Sequence, residues 1–495
     1  MDRLSTDITK NIVSMRAAMQ NSSDFINKPL KLGGFRCELL ICEGMVSIST
    51  LAELIIEPLR EYRDQVYPSA QQLYVELTTA DYLAADQKIV LTTDEVMQFM
   101  MSGFAVLLID GCDKGIAMGV QGFNFRSVSE PSGEQNMRGS REGFVEAARI
   151  NLTLVRRRMK SPALKFEYLS LGTKSKTDVF LVYLTDKASP AVLKKLRRRL
   201  ASVKLEAILD SGYITPFLDR HSVSLFSGVG STERPDTLCG KIMEGRVGII
   251  VDGTPFALVA PYLFSENFQS MDDYTQRPYY ASFIRCLKFF AFLISFLLPG
   301  SYVAVVTHHP ELIHRELLQN IIEAQKNTPF PLMVEALIIH VVFEIMREAG
   351  LRLPKAIGHA VSIVGAIVIG DAAVSTGLVG TPMVLIVALT AVSSFVVPNL
   401  YEPVIILKFA FILLGGLLGI YGISLGLVVL LLNLCSINTF GIPYTSPISP
   451  FGHSVFRDVF FRIGWRQLQN SRSKVQNMPG SSIRTAPKDG REQGR

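Results

Sequence analysis

The sequence predicts an α/β soluble N-terminal region of two small subdomains followed by an all-α, polytopic membrane bundle of about six helices. Three observations carry this. The 495-residue chain is 48% hydrophobic, with a mean hydropathy of +0.29, more apolar than a soluble fold of this length needs. The excess sits almost wholly after residue 286, in runs long enough to cross roughly 30 Å of hydrocarbon at about 1.5 Å per residue. Ahead of it, charged and apolar positions mix as they do in a globular protein.

Residues 1–120 read as the first subdomain. Residues 1–30 look helical and polar, 38–42 a short buried strand, and 48–64 has apolar residues at helical spacing. Residues 104–109 and 116–120 flank an Asp110-Gly111 turn and read as a hairpin. Residues 121–143 are rich in Gly, Ser, Arg and Glu without sustained period, a linker or ordered loop between units. Residues 144–280 read as the second subdomain: helix 144–158, strand 178–184, helix 190–202, a strand-like 205–209, and a hairpin of 247–251 and 256–260 about Asp252-Gly253. Both units thus close on an Asp-Gly hairpin, a hint of internal duplication.

Several function classes are excluded. There is no phosphate-binding G-x-x-x-x-G-K-[ST] loop, no G-x-G-x-x-G, no G-x-S-x-G elbow and no His-x-x-x-His pair. The expectation is no enzyme and no cofactor. The six cysteines are scattered without metal or disulfide spacing. A net charge of +6 is modest, and the basic runs 156–160 and 194–199 lack aromatic interleaving, so no nucleic-acid partner is expected. The first residues carry no basic-then-apolar leader, which places the soluble region in the cytoplasm.

The membrane half spans 287–435. Residues 287–306 are the first crossing. Residues 332–346 are interrupted by Glu335, His340 and Glu344, each costing about 2.5–3.5 kcal/mol at mid-bilayer when ionised. Two readings are open: a wet pathway or polar inter-subunit contact, or a segment lying at the interface. His340 and Glu344, four apart, share a helix face within hydrogen-bonding reach. The third crossing, 356–379, carries small residues and Asp371, read either as a functional carboxylate or as a satisfied interhelical hydrogen bond. Between them lies a slender apolar run, 361–369, whose Val361, Val364, Gly365, Ile367 and Val368 suit a hydrophobic constriction. Residues 383–397 give a fourth crossing. The run 404–435 is too long for one and reads as two meeting near Tyr421-Gly422, packed through Gly415, Gly419, Gly422 and Gly426.

Lysines and arginines before the first crossing, between the second and third, and after the last agree with six crossings and both termini inside. The outer loop 307–331 holds His308, His309, Glu311 and His314. It reads as an interfacial amphipathic helix, with metal binding as the alternative. Residues 436–495 form a basic, partly disordered cytoplasmic tail.

Particular blocks resemble a known family. Glu130-Pro131-Ser132-Gly133-Glu134 stands with Arg138-Gly139-Ser140-Arg141-Glu142-Gly143-Phe144. Further on come Arg277-Pro278-Tyr279-Tyr280, Leu298-Pro299-Gly300, Pro329-Phe330-Pro331 with Glu335-Ala336, Arg347-Glu348-Ala349-Gly350, and Val361-Ser362-Ile363-Val364-Gly365. Together they resemble the A subunit of the GerA-type germinant receptors of spore-forming bacteria, including the A-subunit-like branch encoded with the dipicolinate-release genes. The resemblance covers roughly residues 30–450. It implies a multi-pass protein of the spore inner membrane, working with a nutrient-binding B subunit and a lipoprotein C subunit. It also implies a homo-oligomer in membrane lipid that gates ions in response to nutrient. Glu130, Arg138, Gly139, Arg141 and Glu142 are then an inter-subdomain motif, with Ser140 where the family commonly has proline. A secondary transporter using Glu335, Glu344 and Asp371, or a non-conducting scaffold, are the competing functions.

Overall fold

The computed structural model describes residues 3–79, 86–120, 130–131, 133–219, 224–326, 328–353, 370–452, 458–468 and 474–484. The N-terminal half holds two five-stranded antiparallel sheets. The first has the order β1-β2-β4-β5-β3, from Phe25–Leu32, Phe35–Cys42, Gln87–Val90, Phe104–Ile109 and Gly115–Gly119. The second has the order β6-β7-β9-β10-β8, from Leu164–Leu171, Thr177–Leu184, Gly230–Thr232, Val247–Val251 and Ala257–Ala260. The central strands β4 and β9 are buried along their whole length, which is why they read as continuous apolar runs.

The order is the same in both sheets, and the helices follow suit. Helix α1 (Ile8–Ala18) precedes the first sheet and α4 (Ala148–Arg158) the second. Helix α2 (Ala70–Thr79) falls between β2 and β3, as α5 (Pro190–Ala201) falls between β7 and β8. Helix α3 (Thr93–Met100), held by a Thr92–Glu95 capping box, matches α6 (Pro235–Met243). The likeness reaches single hydrogen bonds. Asn11 braces the backbone of Ser5 through both amide atoms, and Asn151 does the same for Val145. Asp110 accepts from Ile8 N–H, and Asp252 from Ala148 N–H. Gly111 and Gly253, which turn the two hairpins at φ +92 and +91, donate to the carbonyls of Thr6 and Glu146. The hint of duplication in the Asp-Gly turns therefore extends through the architecture of both units.

Other expectations need correction. Helix α1 stops at Ala18 because Gln20 and Asn21 take positive φ, and residues 25–32 are a strand. Pro29 is tolerated there because β1 is an edge strand. Residues 205–209 form no strand. Segment 474–484, expected to be loose from its composition, straps the second unit: Val475 is fully buried and donates to Glu244 O.

The C-terminal half is helical: α7 (Pro278–His308), α8 (Arg315–Gln325), α9 (Leu332–Arg352), α10 (Thr381–Phe395) and α11 (Tyr401–Ser436). Among the described residues, two helical stretches are long and apolar enough to cross a membrane, Pro278–His308 and Pro398–Ser436. That is fewer than six, for identifiable reasons. Helix α9 is crowded with ionisable residues, α10 is only 15 residues long, and 354–369 lies outside the described residues. The run 404–435 forms one helical element with a break at Gly419 (φ 62, ψ −144). A Cβ on Gly426 would lie 2.9 Å from Leu414 and 3.0 Å from Phe411. In an unbroken helix, residues 411 and 426 would stand roughly 22 Å apart. The chain thus folds back at Gly419, close to the Tyr421-Gly422 turn expected from length.

Candidate functional site

Helix α7 rises from the α/β region and packs along the first leg of α11. Phe296 and Phe411 rings lie 5.3 Å apart. Gly300 and Gly415 bring the two backbones together, since a Cβ on Gly415 would overlap the Gly300 carbonyl. Gly422 faces Leu414 across the hairpin, and His308 Nε2 meets Gly416 O at 2.9 Å where the hairpin turns. Gly415 and Gly422 thus meet backbone carbonyls, where a Cβ would push the neighbouring backbones apart, while Gly419 meets the His308 and His309 side chains and Gly426 those of Leu414 and Phe411.

Helix α9 leans on this pair and carries the polar site. Glu344 accepts from Lys408 Nζ at 2.6 Å, Tyr401 Oη at 2.7 Å and Arg347 Nε at 2.9 Å. Arg347 also stacks on the Tyr401 ring at 3.9 Å. Lys408 is buried between the Phe343 and Phe409 rings. A lysine in a long apolar run can persist only if an acid reaches it. Glu344 is that acid, so the pair rivets α9 to α11. The signal for this pair in the sequence is the lysine itself, which needs a buried partner within an apolar run.

His340 does not bond to Glu344. Its Nδ1 turns back to Ala336 O at 2.8 Å, a donor to the preceding helical turn, while its buried Nε2 has no partner. Glu335 Oε1 accepts from Gly380 N–H at 2.8 Å, just ahead of α10, and its Oε2 is buried and unpartnered. The dipole at the start of α10 favours a carboxylate there. Asp371 is exposed, and its carboxylate makes no hydrogen bond among the described residues. Val361, Val364, Gly365, Ile367 and Val368 lie outside the described residues. His309 Nδ1 lies 3.3 Å from Glu311, and no group of three metal-ligating side chains occurs among the described residues.

The described residues of the loop before α4 bond to the second unit. Arg138 N–H donates to Asp272, Gly139 turns the chain at φ +119, and Glu142 binds both Arg157 and Arg158. Glu130 and Arg141 form a loose exposed pair at 3.9 Å. Ser140 accepts from Arg158 through its hydroxyl and from Arg234 through its carbonyl. Glu134 accepts from Thr232 Oγ1 at 2.7 Å. Burial, with Glu233 and Asp236 nearby, pushes its carboxyl up to about 7, against the opposing pull of Thr232 and Arg234. The folded chain therefore holds a proton there that the unfolded chain releases. Stability is full below the ordinary carboxyl range and falls as pH rises towards about 7. The loop should open more readily at pH 8 than at pH 5, and Glu134→Gln should flatten that dependence, read by hydrogen exchange at 133–143.

The units themselves are joined by a buried pair, Arg156 and Asp24, at 2.7 Å. Beside it is a cavity of about 230 Å³, whose Asp24 and Glu43 are already paired with Arg156 and Arg149.

A family described as Bacillus/Clostridium GerA spore germination protein matches residues 13–474. The chain belongs to this GerA family. Spore germination protein KA of Bacillus subtilis is 38% identical over 468 residues, covering 93% of this chain and 85% of that protein. The B. subtilis protein YfkQ, named an uncharacterized membrane protein, is 38% identical over 466 residues, covering 93% and 90%. The crystal structure of the N-terminal domain of the A subunit of the Bacillus megaterium spore germinant receptor GerK3 is 27% identical. It covers 53% of this chain and 98% of its own, with a TM-score of 0.42. As a GerA protein, the chain joins an α/β region of two antiparallel sheets to a helical C-terminal half with two clear apolar spans.

Proposed function

We propose that this GerA protein is the membrane subunit of a spore germinant receptor, which oligomerises around an ion path and opens it when nutrient binds elsewhere in the complex. A nutrient-binding B subunit and a lipoprotein C subunit are its expected partners, in the spore inner membrane. The observation that carries the reading is the set of buried ionisable groups on α9. Glu335 and His340 each keep a polar atom without a partner, at a depth where lipid would not tolerate them.

Six crossings with both termini on one side fit the order of contacts. Helix α9 runs from Met333, beside the hairpin turn at Gly416, to Glu344, beside Tyr401. Gly380 returns to the level of Glu335, which supports a further crossing between Leu353 and Gly370. The path would then be lined by the segment holding Val361, Val364, Gly365, Ile367 and Val368, with Asp371 at its mouth.

The test is Val364→Ser, with Ile367→Ser beside it. Spores carrying either variant should germinate without nutrient, and proteoliposomes should leak monovalent cations at least tenfold faster than wild type. Normal dormancy together with tight liposomes would defeat the reading and favour a scaffold. Uphill substrate accumulation without leak would favour a transporter using Glu335 and Asp371.

A further inference from the structure

A second cavity lies away from the polar site on α9. It has a volume of about 740 Å³ and is lined by Lys195, Arg198 and Arg199 of α5, Phe217, and the chain leaving α11 at Ser436, Asn438, Thr439 and Gly441. Residues 195, 198 and 199 share one face of α5, at spacings of three and four. Lys195 Nζ donates to Phe440 O at 2.9 Å and Arg199 to Thr439 O at 2.6 Å. These bonds tie the basic face to the last helix and fix the cations in place. Arg198 is exposed and its side chain forms no hydrogen bond or ion pair among the described residues, so its charge faces the cavity unspent.

The second leg of α11 presents Leu425, Val428 and Leu432, each more than half exposed, along one stripe. Continuing by one turn, the same stripe reaches Ser436, which lines the cavity. An apolar face long enough for acyl chains therefore ends in a basic pocket at the level where the helix meets the α/β region. We infer that this pocket binds the phosphate headgroup of an anionic phospholipid of the leaflet facing the α/β region, with its acyl chains along Leu425, Val428 and Leu432. The inference rests on reading Ser436 as the point where the last helix leaves the bilayer; it does not rest on ion conduction. A basic group near such a surface contributes about 1 kcal/mol, about fivefold in affinity.

The full-length protein, released in a neutral detergent, is titrated with phosphatidylglycerol, phosphatidylcholine or inorganic phosphate, and bound lipid is counted by native mass spectrometry. Phosphatidylglycerol should bind in preference to phosphatidylcholine, and Arg198→Gln should weaken it about fivefold. Lys194→Gln removes the same charge from the same helix outside the pocket and should leave binding unchanged. An equal loss in both variants overturns the site in favour of diffuse surface charge. Displacement of the lipid by millimolar phosphate overturns the lipid as ligand in favour of a free anion. No preference between the two lipids overturns it in favour of an acidic protein segment. Alkaline carbonate extraction of the same membranes separates failure of the site from failure of the membrane reading.

Discussion

Arg156→Met should destabilise the α/β region by about 3–5 kcal/mol, the usual cost of leaving one member of a buried ion pair alone. Arg156 is 1% exposed and its partner Asp24 3%. The guanidinium donates to Asp24 at 2.9 Å, to Ser161 O and to Leu164 O, both at 3.0 Å. Asp24 in turn accepts from Ser22 Oγ and Cys42 Sγ, so it is oriented for the charge it meets. Truncation would leave a carboxylate and two carbonyls without their strongest donor, away from water. The damage should also be local. Asp24 belongs to the first unit and Arg156 to the second, and Ser22 and Ser23 bond the β6 backbone at Phe166 beside them. Hydrogen exchange should therefore accelerate first at 22–25 and 164–168, while strands β4 and β9 stay protected. Adding Asp24→Asn should restore part of the loss, because it removes the orphaned charge. If the single variant melts with wild type, the junction is not held by this pair.

The two hairpins could be read in the sequence because each Asp-Gly turn sits between strands buried on both faces, giving continuous apolar runs. Strands β1, β6 and β8 could not. They are sheet-edge strands, exposed on one side, so their apolar pattern is weak, and a three-residue strand such as Gly230–Thr232 has no period at all. The same limit hid segment 474–484, whose single buried apolar anchor, Val475, lies in a polar surround. In the helical half the reverse holds. Apolar length located the elements and even the fold-back near Gly419, because length alone forbids one crossing. Which polar residues meet was not legible, since a period of 3.6 gives faces within one helix and says nothing of its neighbour. Pairing His340 with Glu344 was sound for an isolated helix; Lys408 on another helix outcompetes it.

That competition makes the second large effect asymmetric. Removing the acid should cost more than removing the base. In Glu344→Leu, Lys408 stays 3% exposed with only the Phe343 and Phe409 rings against it, an unpaired charge costing about 3–5 kcal/mol. In Lys408→Met, Glu344 keeps Arg347 and Tyr401, so the expected cost is about 1–2 kcal/mol, nearer a lost charged hydrogen bond. The double variant should be no worse than Lys408→Met, because neither charge is then stranded and Arg347 retains the Tyr401 ring. Melting temperatures of the three proteins in one detergent give the order directly. A double variant as unstable as Glu344→Leu would mean that α9 and α11 are held by packing rather than by charge. If the order holds, the rivet can be removed without unfolding the bundle. Germination of spores carrying the double variant then tells whether fixing α9 against α11 keeps the subunit closed.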